Sequence, residues 1–256
     1  MNASLPLQRV KTALLDLLFP LRCFGCGSEG SLLCPSCSRT LPRLELPFCQ
    51  RCGMPYTEGN LCPACLSYPL SIDGIRSVFL FKGTARQAVL QFKYRHLKAA
   101  AEPLGQLMAD FLRSNPLTGE VIVPVPLHPR RLRRRGYNQA SLLAIEVGRL
   151  SGLPVVEGAL VRVRDTVSQA RSASAAERRS NVHGAFECPQ GLHGVKVLLI
   201  DDVCTTGATL DACAAALKAA GAASIWGLTT ARETLSASSS ATVENRGSDS
   251  IKYYVL

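Results

Sequence analysis

Residues 195–200, VKVLLI, form a short run that is apolar apart from Lys196, rich in branched side chains and bounded by Gly194 and a polar turn. Such a run predicts a strand buried on both faces, as in a parallel sheet. After a short polar stretch, apolar positions return at Leu210, Cys213, Ala214 and Leu217, the helix period, and Gly221 stops them. The segment therefore reads as strand, tight loop, helix. Residues 121–125 predict a second buried strand, ended by prolines at 124, 126 and 129. Further strands are expected at 77–81, 159–163 and 224–230. Helices are expected at 87–94, 98–113 and 138–150, the second with Leu104, Leu107, Met108, Phe111 and Leu112 apolar. Strand and helix patterns that alternate in this way predict an α/β fold, a parallel sheet flanked by helices.

The ends of the chain read differently. Val10, Leu14, Leu17, Leu18 and Leu21 make one face of an amphipathic helix within residues 1–22. Lys11 and Asp16 interrupt the apolar run there and no small-residue cleavage site follows, so a signal peptide is not expected. No stretch is long and apolar enough to span a bilayer. Residues 69–74 read as a linker, and the Ser-rich composition of 235–256 predicts a disordered tail.

Eleven cysteines change the picture, because eight fall in four Cys-x-x-Cys pairs. Residues 23–37 read CFGCGSEGSLLCPSC and residues 49–65 read CQRCGMPYTEGNLCPAC. Both have the form Cys-x-x-Cys-Gly, a loop, then Leu-Cys-Pro-x-Cys, so the region 23–68 is an internal duplication. Paired spacing of this kind indicates metal ligation rather than disulfides, and a reducing, cytoplasmic compartment. Four thiolates make a tetrahedral site that Zn2+ favours, and four protein ligands leave no open position, so the sites are structural. Each repeat carries its own set: Cys23, Cys26, Cys34 and Cys37 for one ion, Cys49, Cys52, Cys62 and Cys65 for the other. A crossed pairing is the less natural alternative; an iron–sulfur cluster or thiol redox chemistry is the competing chemistry. Gly27 and Gly53, just after the first pairs, are expected to let backbone N–H groups turn toward sulfur.

The net charge of +10 and a sequence pI near 9.2 suggest a polyanionic partner, such as nucleic acid or phosphorylated metabolites. The predicted strand end at 200 supplies candidate chemistry for one. Asp201 and Asp202 can accept hydrogen bonds from the vicinal hydroxyls of a ribose. Thr205, Thr206, Gly207, Ala208 and Thr209 then offer hydroxyls and backbone N–H groups at a helix N-terminus, a cradle for a phosphate. The bland alternative is a βα turn in which Asp202 or a threonine caps the helix. The whole run, strand, Asp-Asp, two residues, Thr-Gly-Ala-Thr, resembles the phosphoribosyl-pyrophosphate (PRPP) loop of type I phosphoribosyltransferases. After the second predicted strand comes RRLRRRGYNQA, with Arg130, Arg131, Arg133, Arg134 and Arg135 crowded together. Loops that leave neighbouring parallel strands reach the same edge, where a pyrophosphate or a polyanion chain needs cations. Lys93, Tyr94 and Arg95 form a smaller basic-aromatic patch, and residues 164–181 have the polar composition of a lid or a surface loop.

These features occur together with a PVP strand end, with Arg135, Gly136, Tyr137, Asn138 and Gln139, and with Thr166, Gln169, Arg179, Asn181, Val182 and Phe186. The combination, over about residues 20 to 232, resembles the ComF family, also called ComFC-like or GntX-like. The resemblance implies a type I phosphoribosyltransferase-like domain over 75–234 behind a double zinc ribbon. It also implies cytoplasmic handling of single-stranded DNA, in natural transformation or in the use of DNA as a nutrient, beside a DNA-uptake helicase or processing proteins. Two functions follow as expectations. One is a protein that binds PRPP, with Mg2+, and single-stranded DNA. The other is a Mg2+-dependent transferase that moves 5-phosphoribose from PRPP to a nitrogen nucleophile and releases pyrophosphate. The Ser-rich tail departs from the family pattern.

Overall fold

The computed structural model describes residues 20–94, 97–166 and 175–234. Most of the predicted amphipathic N-terminal helix, Arg95, Gln169, Arg171 and the tail lie outside the described residues. In chain order the elements are α1 (Pro35–Arg39), α2 (Pro63–Ser67), β1 (Gly74–Leu80), α3 (Gly83–Tyr94), α4 (Ala101–Ser114), β2 (Val121–Pro124), α5 (Pro129–Arg135) and α6 (Gln139–Ser151). They continue with β3 (Val161–Arg162), α7 (Ala175–Val182), β4 (Phe186–Glu187), β5 (Lys196–Cys204), α8 (Ala208–Ala219) and β6 (Ser224–Arg232). Four strands form one sheet in the order β1–β6–β5–β2, with every pair parallel.

The period-2 rule sorts β5 between two cores. Leu198 and Ile200 pack with α3, α4 and α6, through Phe92, Met108 and Leu143. Val197 and Leu199 face Leu210, Cys213 and Leu217 of α8. Both faces of the sheet are thus covered, which is why its strands read as continuous apolar runs.

Several local expectations change. β5 runs on to Cys204, so both aspartates belong to the strand and do not follow it. The arginine run is a helix, α5, because Pro129 sits at its start, the His128 side chain accepts from Arg130 N, and Gly136 ends it at φ 79°. β3 is two residues long and pairs antiparallel with β4, outside the main sheet. The outer edge of β2 is already occupied: Ile122 N donates to Pro154 O and Val156 N to Ile122 O, both at 2.8 Å. Part of the expected polar loop is helical, as α7. The supposed linker at 69–74 is anchored. Ile72 is fully buried, the Asp211 carboxylate accepts from Ser71 N and Ile72 N at 2.6 and 3.1 Å, and Asp73 pairs with Lys218 at 2.8 Å.

The cysteine repeats close the free edge of β1. Leu44 N donates to Val78 O at 3.1 Å and Leu80 N to Pro42 O at 2.8 Å. Farther along, Ile75 N donates to Arg51 O at 2.8 Å. An exposed parallel edge is a template for unwanted pairing, and the N-terminal region covers it. Phe24, Leu32 and Leu41 of this region join the core that lies over α3 and α4.

Candidate functional site

Each repeat brings its four sulfurs within 4.8 Å of one another, Cys23, Cys26, Cys34 and Cys37 in one group and Cys49, Cys52, Cys62 and Cys65 in the other. The two groups repeat the same geometry. Cys34 N donates to Cys23 Sγ and Cys62 N to Cys49 Sγ, each at 3.4 Å, and the Cys26–Cys34 and Cys52–Cys62 sulfur pairs are both 3.7 Å apart. Gly27 and Gly53 hold φ of 76° and 69°, a left-handed turn that directs the chain around sulfur. The second pair of each group lies at the start of a one-turn helix, Pro35–Arg39 or Pro63–Ser67. Four convergent thiols with N–H donors to sulfur fit a structural Zn2+ in each repeat.

The carboxyl ends of β2 and β5 lie side by side, and Val125 N donates to Ile200 O at 2.9 Å. From β5, Asp201 Oδ1 accepts from Asp202 N at 2.8 Å. Neither carboxylate stands free in solvent as a strand-end residue would. Asp202 is buried and pairs at 2.8 Å with Lys93, which arrives from the last turn of α3. Burial, and then the charge on Asp202, push the Asp201 carboxyl up to about 7, against the pull of Lys93 and Arg162. Burial disfavours the Lys93 cation, but the charge and hydrogen bond of Asp202 outweigh it and raise its pKa. Lys93 is therefore part of the site and not of a surface patch.

Gly207 makes the turn into α8 at φ 83°. A Cβ there would stand 3.0 Å from Ile75 Cδ1, so both space and conformation call for glycine. Thr205, Thr206, Ala208 and Thr209 face a cleft of about 690 Å3, whose walls include Arg86, Arg131, Arg162 and Arg178. An adjoining pocket of about 230 Å3 holds Asp201, Asp202, Lys93, Arg131, Arg135 and Arg162, and shares Thr209 with the cleft. The paired carboxylates, the threonine turn and a ring of guanidinium groups thus surround one continuous space. The arginine run divides across α5: Arg131 and Arg135 turn inward, while Arg130, Arg133 and Arg134 are exposed. Arg131 Nη2 donates to Thr166 O, and Arg162 Nη2 to Thr166 Oγ1. Tyr137 is buried and its hydroxyl donates to Phe92 O, so it cannot stack on a ligand; Tyr94 remains 64% exposed beside Arg135.

Sequence reasoning did not assign Lys93, Arg86 or Arg162 to this space. Arg162 carried a readable signal: a charge inside a short apolar run at 159–163. For Lys93 the signal was its place at the end of a helix whose inner face holds Val89 and Phe92.

Because the folded state raises the Asp201 pKa above its ordinary 3.8, the protonated form is favoured on folding. Its contribution is complete below about pH 4 and is lost as the pH rises toward 7. Asp201→Asn keeps the acceptor for Asp202 N. In urea titrations it should gain stability over the wild type as the pH is raised from about 4 to 8. Parallel pH profiles for the two proteins would show that Asp201 ionises as an ordinary carboxyl.

Residues 14–66 match the family model described as Double zinc ribbon domain. Competence protein F of Haemophilus influenzae is 32% identical over 226 residues, covering 82% of this chain and 97% of that protein. DNA utilization protein YhgH of Escherichia coli K12 is 32% identical over 219 residues, covering 82% and 96%. Among solved structures, the glutamine PRPP amidotransferase of B. subtilis aligns with 52% of this chain and 26% of its own, at 21% identity and a TM-score of 0.36.

Proposed function

The chain belongs to the ComF family of competence and DNA-utilisation proteins, and from that premise we propose that it binds PRPP and single-stranded DNA in the cytoplasm, beside a DNA-uptake helicase or processing proteins. One observation carries this reading: Asp201, Asp202 and the threonine turn share a continuous space with Arg86, Arg131, Arg162 and Arg178. Asp201 and Asp202 hold the ribose hydroxyls, and residues 205–209 hold the 5-phosphate. Arg131, Arg135 and Arg162 neutralise the pyrophosphate. Mg2+, a hard cation suited to phosphate and carboxylate oxygens, would enter with the pyrophosphate and disperse its charge. Lys93 pairs with Asp202 and fixes its carboxylate for the ribose.

The exposed Arg133 and Arg134 on α5 form the strand-binding face, and Tyr94, beside Arg135 on the wall of the cleft, is the aromatic that can stack a base. Each phosphate contact releases counterions, so the logarithm of affinity for single-stranded DNA should fall with log salt by about 0.7 per contact. Arg133→Ala with Arg134→Ala should flatten that slope by up to about 1.4 units and leave sequence preference unchanged. Fluorescence anisotropy of a mixed-sequence oligonucleotide at several salt concentrations measures it. Equal slopes in the two proteins would remove α5 from the DNA site.

The place of Asp201 in the pocket lined by Arg131, Arg135 and Arg162 favours the transferase reading as well. A carboxyl poised near neutrality, as Asp201 is at about 7, suits proton transfer from a nitrogen nucleophile. Exchange of labelled pyrophosphate into PRPP, tried with and without nucleobases, separates turnover from binding alone. Label that stays in pyrophosphate under every condition rejects the transferase.

A further inference from the structure

Arg232 and Cys204 are register partners at the carboxyl ends of β6 and β5. Cys204 is the last residue before the threonine turn. Arg232 is 1% exposed, and its Nη1 donates to two groups, the carbonyl oxygen of Cys52 and, at 2.9 Å, Cys204 Sγ. One nitrogen thus joins the second cysteine group to the strand that carries the turn. The Cys204 sulfur in its turn lies against Gly207: a Cβ there would stand 3.9 Å from it, and the Gly207 N–H is turned toward it.

Ile75, fully buried, makes a second contact between the same two places. Its N–H donates to Arg51 O, and its carbonyl oxygen is so close to Gly53 that a Cβ there would stand 2.5 Å away. Its Cδ1 meets Gly207 from the other side. The first cysteine repeat docks elsewhere. Phe24, Leu32 and Leu41 join the core over α3 and α4, whereas Ile75 and Cys204 belong to the core against α8.

Charge gives the reason for an arginine here. Four thiolates outweigh one divalent cation, so the loaded repeat is a net anion, and a buried guanidinium beside it is a counter-charge. The guanidinium is planar and rigid, and holds its acceptors at fixed positions. A close-packed interior transmits a displacement instead of absorbing it. A shift of Cys52 is therefore passed on to Cys204 and the turn.

We propose that Arg232 is a positioning residue that couples the second metal centre, and not the first, to the threonine turn. The ion held by Cys49, Cys52, Cys62 and Cys65 then sets the spacing of the N–H groups at 205–209. An anion bound at the turn acts back on that metal site, because coupling between two sites is reciprocal. That the anion is the 5-phosphate of PRPP rests on the reading of residues 201–209 above; the mechanical coupling does not.

The test is 1H–15N NMR on the full chain, first loaded with zinc and then with Cd2+, a larger ion that thiolates also bind. With no ligand added, the exchange of metal should move the amide resonances of Thr205, Thr206 and Gly207. Cys204→Ala should lose most of that movement while the Cys52 and Cys62 amides still report the new ion. Cys204→Ser, which returns an acceptor to Arg232, should restore it. PRPP titrated into the zinc-loaded chain should move the Cys62 N–H, which donates to Cys49 Sγ, and leave the equivalent Cys34 N–H in place. By calorimetry Cys204→Ala should bind PRPP about fivefold more weakly, the low end of coupling between sites. Turn amides that ignore the metal in the wild type, or that respond in full in Cys204→Ala, overturn the coupling. So does bound PRPP that moves Cys34 as much as Cys62, or neither. A turn that follows the metal in a chain that does not bind PRPP upholds the coupling and rejects the phosphoribosyl reading instead.

Discussion

Cys49→Ser with Cys52→Ser will abolish folding of the whole described chain, not of residues 49–65 alone. A structural zinc site contributes roughly 10–16 kcal/mol of apparent folding free energy. A domain has in total only about 5–15 kcal/mol of stability. The repeat is also bonded into the sheet. Ile75 N donates to Arg51 O, Arg51 Nη1 to Ile72 O at 2.8 Å, and Arg76 Nη1 to Gln50 O at 2.9 Å. Arg76 lies 4.9 Å over Phe48 and 5.1 Å over Trp226, which ties the repeat to β1 and β6 together. Loss of the second metal would strand Arg232 and bare the edge of β1. The wild type should contain two zinc ions per chain by elemental analysis, and strong chelation should remove the circular-dichroism signal of the α/β domain along with the metal. One zinc per chain, or a thermal transition unmoved by chelation, would contradict this coupling.

The second large effect is expected at Lys93. Its side chain is 20% exposed and that of Asp202 is 9% exposed, so the 2.8 Å pair is largely removed from water. Breaking such a pair from one side leaves an uncompensated charge, at a cost of about 3–5 kcal/mol. Lys93→Met should lose that much in urea denaturation. Asp202→Asn should be milder, because Asp201 remains close enough to act on the lysine. The double substitution Lys93→Met, Asp202→Asn removes both charges and should recover most of the loss. Additive losses in the double variant would show that the pair is only a surface contact.

The parallel sheet and the two cysteine groups were legible because their signals are local. An apolar run such as 197–200 can be read without knowing its neighbours, and the duplication at 23–65 repeats its Cys-x-x-Cys pairs within one stretch of chain. Which residues meet across the fold was not legible. Lys93 reaches Asp202 from 109 positions away because α3 ends over the carboxyl edge of β5, a matter of topology and not of pattern. Tyr137 follows a run of basic residues in the sequence, yet its ring turns toward Phe92 at 5.8 Å, after Gly136 reverses the chain just before it. Arg232 shows the same limit from the other side. A charge at the end of an apolar strand is visible in the sequence, but its partner Cys52 lies 180 positions earlier. The arginine run was legible as charge but not as a helix that faces two ways.

Calorimetric titration of PRPP with Mg2+ into the wild type and into Thr205→Val with Thr209→Val tests the central claim most directly. Both threonines line the cleft and valine is nearly isosteric, so the fold should persist and only the hydroxyl donors are lost. Two hydrogen bonds to a charged phosphate, each about 1.5 kcal/mol at the low end, correspond to an affinity loss of about a hundredfold. The account predicts binding in the wild type and that loss in the variant, with zinc content unchanged. No heat of binding in the wild type, or equal affinity in both proteins, would contradict it.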